Sequence, residues 1–384
     1  MAALISALLL VVLVILTLIA FIIAMLNGTA YPIPLIIVFP TVLYLAVSLS
    51  LFRFFNTRKR IFTFIGIASI ALVISGYVPL REAYTESIPT VNEEVNQTFY
   101  QPFREDSKLA QLETPASLKL QEKLPKLDGE TWLYPMYAAF VEAVYPEGDY
   151  PSYMKDGLVM GDGGGYAFTH LIEGKADMIF TTAPMKWHYK KAKEAGLELT
   201  VTPIGKEAFV FFVNEKNPVQ NMTTQQIREI YAGTTENWDE VGGKDMPIIA
   251  YQRKTSSRGQ KALEQFMEGA SLMKPVTEDG FEDGYGNVQQ LAEYRNYENA
   301  IGFSHRFTTL ELVGKHKIKL LNIDGVAPTN DSIRSGEYPL VREFYVVTAG
   351  TDNPNVQQFI DWIVSEEGQQ LIEKSGYVPL RNGN

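Results

Sequence analysis

Residues 3–26 contain no charged side chain and consist almost wholly of Ala, Leu, Ile, Val, Phe and Met. A helix of that length crosses the ~30 Å hydrocarbon layer of a bilayer, and a soluble fold has no use for one that is apolar on every side. After the turn Asn27-Gly28-Thr29 come a second apolar run, 31–52, and a third, 61–78. The sequence therefore predicts three transmembrane α-helices within residues 1–80, with Pro32, Pro34 and Pro40 kinking the second. The first run is too long for a cleaved signal peptide and lacks its basic start. Arg53, Arg58, Lys59 and Arg60 stand between runs two and three, and such basic loops stay cytoplasmic. The N-terminus is then inside and everything after Arg81 extracytoplasmic. No Asp, Glu, Lys, Arg or His lies within the runs, so they are expected to anchor rather than conduct.

The charge balance constrains the remainder. The chain of 384 residues carries −10 overall, but residues 1–80 carry +4 and no acid, which leaves −14 on the other 304. A domain that acidic does not suit nucleic acid. There is no cysteine, which excludes disulfides, thiolate metal sites and a lipidated Cys. Residues 81–125 read as a polar tether and then an extended segment draped over a domain, with Pro89, Pro102, Pro115 and Pro125 spaced along them. From 126 to 384, β-like runs (157–160, 177–181, 198–203, 208–213, 247–251, 317–321, 342–348) alternate with helical ones (134–145, 166–174, 186–195, 223–232, 259–268, 288–294, 354–373). That alternation predicts an α/β fold with mainly parallel sheets, and the length predicts two lobes.

In such sheets ligands sit where strands give way to helices. Three loops of that kind stand out. Asp128-Gly129 leads through Thr131 and Trp132 into a helix with Pro135 in its first turn, a position proline tolerates. Gly161–Tyr166 (GDGGGY) offers the backbone amides of Gly163, Gly164 and Gly165. Arg253–Gln260 (RKTSSRGQ) offers Arg253, Ser256, Ser257 and Arg258 ahead of a third helix. Unpaired N–H groups at helix starts, hydroxyls and a guanidinium fork all suit a small oxyanion.

LDGETWLYPMYAAFVEAVYP, KADMIFTTAP, GKEAFVFFVNEKNPVQNMTTQQIREIYAGTTENWDEVGG, IIAYQR, NAIGFSHRF, IDGVAPTNDSIRSGEYPL and FIDWIVSEEGQQLIEKSGYVPLR follow one another in order. Together they resemble the phosphate-binding substrate-binding proteins of ABC importers, in the type II periplasmic-binding-protein superfamily. The likeness covers residues 95–384. It implies two α/β lobes that close on ligand across two connecting strands, near Gly205–Val213 and Glu343–Thr348. Lobe one would then be 126–205 plus 346–384, and lobe two 210–340. It further implies that Thr131 and Trp132 are the family's anion-contacting Thr and aromatic, that Arg253 is its phosphate arginine, and that Ser257 is its serine. Three departures stand beside these matches. Arg258-Gly259 replaces Gly and a hydroxyl residue, GDGGGY lacks the family's Ser or Thr, and Thr182 occupies the place of an Asp that accepts the proton of phosphate. Glu130 and Asp162 are the carboxylates that could take over that task.

No catalytic, metal or cofactor residues are expected. The four histidines, His170, His188, His305 and His316, lack metal-binding spacing, and no GxSxG or P-loop is present. The acidic turn EDGFEDGYGN, with Asp279, Glu282 and Asp283, reads as solvated. The expected partners are phosphate or a related oxyanion, the lipid bilayer, and an ABC permease or another membrane protein. Transport, a sensor or adaptor role, and a ligand-free structural role are the three readings. One further feature is a repeat: SGYVPLR occurs at 75–81 and again at 375–381. It is expected to be a helix-stop device, or else a pair of segments competing for one groove.

Overall fold

The computed structural model describes residues 1–27, 32–88, 95–154, 156–254, 257–276, 294–310 and 317–380. It divides into two compact units, 1–89 and 90–384. In the first, α1 (Ala2–Leu26), α2 (Ile33–Leu51) and α3 (Arg58–Ser87) are each long and apolar enough to cross a membrane. Helices α1 and α2 pack together, joined by a buried hydrogen bond between the Ser6 and Ser48 hydroxyls at 2.7 Å. A short polar pair of this sort ties helices that have no hydrophobic drive to associate in lipid. Pro32 is the N-cap of α2 and Pro34 lies in its first turn, which leaves Pro40 as the proline inside it. The third helix runs past the expected end at 78, carrying Pro79 and the first SGYVPLR with it.

The second unit is a two-lobed mixed α/β fold organised on one strand, β3 (Thr200–Asn214). Two separate strands were expected there, yet the run is continuous because AFVFFV, residues 208–213, is buried throughout. The first half of β3 pairs antiparallel with β9 (Val341–Thr348), over Thr200–Ala208. Its second half pairs antiparallel with β6 (Ala300–His305), over Phe209–Val213, and with β7 (Ile318–Leu320). Beyond β9 lie β2 (Met178–Thr182) and then β1 (Leu127–Gly129); beyond β6 lies β5 (Ile249–Ala250). A separate two-stranded piece joins β4 (Asn221–Met222) to β8 (Asn322–Ile323) in parallel.

The expectation of mainly parallel sheets needs correction. Parallel pairing is confined to β1–β2, β5–β6 and β4–β8 among the described strands, because the long strands β3 and β9 run against their neighbours. The run 157–160 contributes only an isolated bridge, Leu127 to Val159. The helical run 354–373 is broken in two, α10 (Asn355–Ile363) and α11 (Glu366–Lys374), with Ser365 between them donating its hydroxyl to the Trp362 carbonyl at 2.6 Å. The expected helix 288–294 and the turn EDGFEDGYGN lie outside the described residues, apart from Tyr294.

Two apolar cores flank the point where β3 changes partners. One is built on α4 (Tyr134–Val144), with Phe180, Phe359 and Ile363, and the segment 95–124 packs on it through Tyr100, Leu120 and Leu124. The other gathers Phe209, Phe211, Tyr231, Trp238, Leu263 and Phe303. The second SGYVPLR closes α11. Gly376 takes φ +90°, Tyr377 is buried, and β10 (Val378–Pro379) pairs with Lys206 and Gly205 of β3. The helix-stop expectation therefore holds for this copy and fails for the first.

Candidate functional site

Loop one begins where β1 leaves the sheet. The Glu130 N–H donates to the Phe180 carbonyl at 2.9 Å, and Leu133 N–H closes a single tight turn onto the Glu130 carbonyl at 2.8 Å. Helix α4 starts one residue later with Pro135 in its first turn, and its near-complete burial fixes the direction of its N-terminus. Thr131, at the start of the turn, is exposed and its hydroxyl caps no helix. Trp132 is buried, stacked on His305 at 4.6 Å and 7°, with its edge towards Phe344.

The least anticipated group is Glu130. Its carboxylate is buried and accepts from Trp132 Nε1 at 2.6 Å, Thr181 Oγ1 at 2.9 Å, Thr182 Oγ1 at 3.3 Å and Thr182 N–H at 3.4 Å. Thr182, the last residue of β2, thus faces Glu130, the first residue past β1. Sequence reasoning named Glu130 as a substitute acid without being able to see this cradle, because its Thr partners lie on a strand some fifty residues away.

Loop two is braced from behind. Asp128 is fully buried and accepts from the backbone N–H of Gly129 (2.7 Å) and Asp162 (3.1 Å), while His170 Nδ1 lies 2.7 Å from its other oxygen. Burial pushes the Asp128 carboxyl up, against the pull of these hydrogen bonds, first that of His170. Gly163 adopts φ 90°, donates to the Gly129 carbonyl at 3.0 Å and hands over to α5 (Gly164–Ile172). Gly163 therefore sits directly against loop one, and Gly164 and Gly165 follow it as the first residues of α5. Asp128, Asp162 and His170 lie within 4.8 Å of one another and are the described residues that could hold a cation. Both Asp128 oxygens are already engaged, so the trio reads as a brace. The histidines looked scattered in the sequence because the bend between β1 and α5 that joins His170 to Asp128 is a tertiary contact.

Loop three belongs to the other core. Arg253 Nη2 donates to the Phe303 carbonyl at 2.9 Å and to Ser304 Oγ at 3.2 Å, with the guanidinium 5.3 Å from the Phe303 ring. Burial lowers its pKa to about 10. Ser257 caps α8 (Arg258–Phe266), its Oγ accepting from Gln260 N–H at 3.2 Å, which leaves its own proton to donate. Gln260 in turn accepts from the Arg253 N–H at 2.8 Å and so clamps the loop to the helix. The shifted glycine has a physical reason. A Cβ on Gly259 would stand 2.7 Å from Arg253 Nη1 and 3.0 Å from its Cζ. Ser256 and the side chain of Arg258 lie outside the described residues.

Loops one and three are linked through β6, and loop two joins loop one through the Gly163 N–H on the Gly129 carbonyl. Arg253 touches Phe303 and Ser304, the next residue, His305, stacks on Trp132, and Trp132 bonds Glu130 beside Thr131 and Thr182. Comparison with known proteins agrees with this architecture. The model of the PBP superfamily domain matches residues 115–367. The phosphate-binding protein PstS of Bacillus subtilis is 27% identical over 170 residues, 44% of this chain and 53% of its own length. Protein SphX of Synechococcus elongatus is 26% identical over 276 residues, 68% of this chain and 78% of its own. A solved putative phosphate ABC transporter substrate-binding protein from Clostridium perfringens, with bound phosphate, is 24% identical. The alignment covers 67% of this chain and 99% of that one, with a TM-score of 0.47.

Proposed function

The chain belongs to the PBP superfamily, and from that premise we propose that it is a membrane-tethered extracytoplasmic receptor that captures phosphate and delivers it to an ABC permease. Binding is non-covalent and the protein is not an enzyme. The expected boundary at 80 falls inside α3, so the membrane unit runs to 89 and the link and draped segment occupy 90–125, with the lobes 126–205 plus 346–384 and 210–340. Arg53 follows α2 and Arg58, Lys59 and Arg60 open α3, so the basic residues gather at one end of the pair, which supports a binding domain on the outer face.

The observation that carries the reading is the position of Arg253. Its guanidinium lies against Gly259 in the first turn of α8, so a cation and the positive end of a helix stand side by side. An oxyanion between them is held by both. Thr131, the amides of Gly164 and Gly165, and the Ser257 hydroxyl supply further donors, with Trp132 as an apolar wall; the Gly163 amide, expected to join them, is instead taken by the Gly129 carbonyl. Glu130 then selects the anion. An ionised carboxylate repels fully charged sulfate but accepts a hydrogen bond from phosphate, which keeps a proton at neutral pH. Thr182 holds that carboxylate in place of supplying one.

Titration calorimetry of the full-length protein with phosphate and with sulfate tests this. Micromolar or tighter phosphate binding is expected, with sulfate at least roughly tenfold weaker. Arg253→Ala should abolish the heat, and Glu130→Gln should narrow the phosphate-to-sulfate ratio. No heat with either ion from folded protein sinks the proposal. Three apolar helices, more than a simple anchor needs, favour a sensor role as the second reading. Neighbouring genes for a permease and an ATPase would decide for transport.

A further inference from the structure

Helix α6 (Lys186–Glu194) and its N-cap Met185 form a surface that the binding site does not use. The sequence KWHYKKAKE sets four lysines against one glutamate, in a domain whose net charge is strongly negative. His188 and Ala192 face inward and are buried. Helical spacing then puts Lys186, Lys190 and Lys193 on the outward side, with Trp187 and Tyr189 on its two flanks. Trp187 is 45% exposed, Tyr189 47% and Met185 51%. Lys191 Nζ sits 5.2 Å from the Trp187 ring, and the helix's one acid, Glu194, lies 3.8 Å from Lys190.

We propose that α6 is a lipid-docking face that lays the domain on an anionic bilayer surface. The composition decides between the two kinds of surface that exposed aromatics serve. Interfaces between proteins are depleted in lysine, whereas the membrane–water boundary gathers Trp, Tyr and Lys together. The lysines complement anionic headgroups, and the aromatic flanks have the amphipathic rings that settle at headgroup depth. The chain also supplies proximity. Only residues 88–94 separate α3 from Val95, which packs on the domain core. That link spans at most roughly 30 Å fully extended. Weak contacts of a face held so near a membrane are raised by effective concentration. The proposal rests on the membrane-anchored reading of α1–α3 but not on the identity of the ligand.

The protein carries its own probe. Of its four tryptophans, Trp132, Trp238 and Trp362 are 8%, 0% and 5% exposed, which leaves Trp187 as the accessible one. Full-length protein is inserted in phosphatidylglycerol or phosphatidylcholine nanodiscs, with and without a nitroxide-headgroup lipid, and its emission compared. Co-elution with the discs checks the anchoring separately. In phosphatidylglycerol the nitroxide should remove up to about a quarter of the emission, one tryptophan of four. The loss should be much smaller in phosphatidylcholine, fade at high salt, and vanish in Trp187→Phe. The triple variant Lys186→Gln, Lys190→Gln, Lys193→Gln should bring phosphatidylglycerol down to the phosphatidylcholine level. Unchanged emission in inserted protein, or equal loss in both lipids, overturns the proposal. So does Trp187 shielded from acrylamide only when a permease is added, which would assign the face to a protein.

Discussion

At the scale of single residues, Gly259 shows that a departure from a family pattern can have a packing reason. The resemblance left its position unexplained, with a hydroxyl residue missing and a glycine one place late. In the fold, the space above its Cα is taken by the Arg253 side chain, 2.7 Å from where a Cβ would be. Gly259→Ala therefore tests that contact. The new Cβ must push aside a buried guanidinium bonded to Phe303 and Ser304, so Tm should fall modestly while phosphate affinity drops tenfold or more. Calorimetry and thermal unfolding of the same preparation check both halves, and retained affinity would deny Arg253 its role. Residues of this kind mark the limit of the sequence. Thr131, the GDGGGY glycines and Arg253 were legible because each sits at a strand-to-helix junction, a local pattern. The cradle of Glu130 and the Asp128–His170 brace were not, because Thr181, Thr182 and His170 reach those carboxylates only through sheet pairing and helix packing.

Elements show the same division. The heptapeptide SGYVPLR is helical inside α3 and a helix stop followed by a strand at the end of α11. In the second place Tyr377 and Val378 gain a buried site and a β3 partner. In the first, a helix apolar enough for lipid has no water to satisfy an opened backbone, so the turn is carried through glycine and proline alike. Local sequence therefore cannot choose between the two outcomes. Strand β3 carries a second element-level consequence. Glu207 lies beside the point where β3 passes from β9 to β6, fully buried, with Oε2 unpartnered and Oε1 accepting from Ala208 N–H. Burial raises its pKa from 4.5 to about 7, against the attraction of nearby Arg306. Arg342 stands opposite it on β9, and neighbouring Lys206 reaches the Arg334 carbonyl. Between pH 4.5 and 7 the folded chain keeps a proton that the unfolded chain has released, so stability falls as pH rises through that window. Glu207→Gln should flatten the slope and raise Tm by a few degrees at pH 8 while leaving it unchanged near pH 4.5, a gain of at most roughly 3 kcal/mol. A pH profile of Tm identical to the parent's would show that Glu207 does not titrate on unfolding.

For the whole molecule, the question is what holds two lobes around a guest. Strands β3 and β9 tie the lobes together, and the two cores meet along them. The candidate site lies where loops of both cores approach, and the most direct contact across it is the stack of Trp132 on His305 at 4.6 Å. Trp132 is fixed on its own side by Glu130, Phe344 and Tyr377, whose hydroxyl bonds the Trp132 carbonyl. His305 ends β6, one residue past the Ser304 that Arg253 contacts. Under the proposed function this stack is a latch between the candidate loops, coupling closure to capture. An aromatic pair of this geometry contributes about 0.5–1.5 kcal/mol. His305→Ala should then weaken phosphate binding roughly two- to tenfold. The loss should fall on the dissociation rate, since a latch holds a closed form rather than steering entry. Stopped-flow tryptophan fluorescence of the full-length protein reads both rates. A slower association with unchanged dissociation would place His305 on the entry path and leave the lobes to be held by ligand alone.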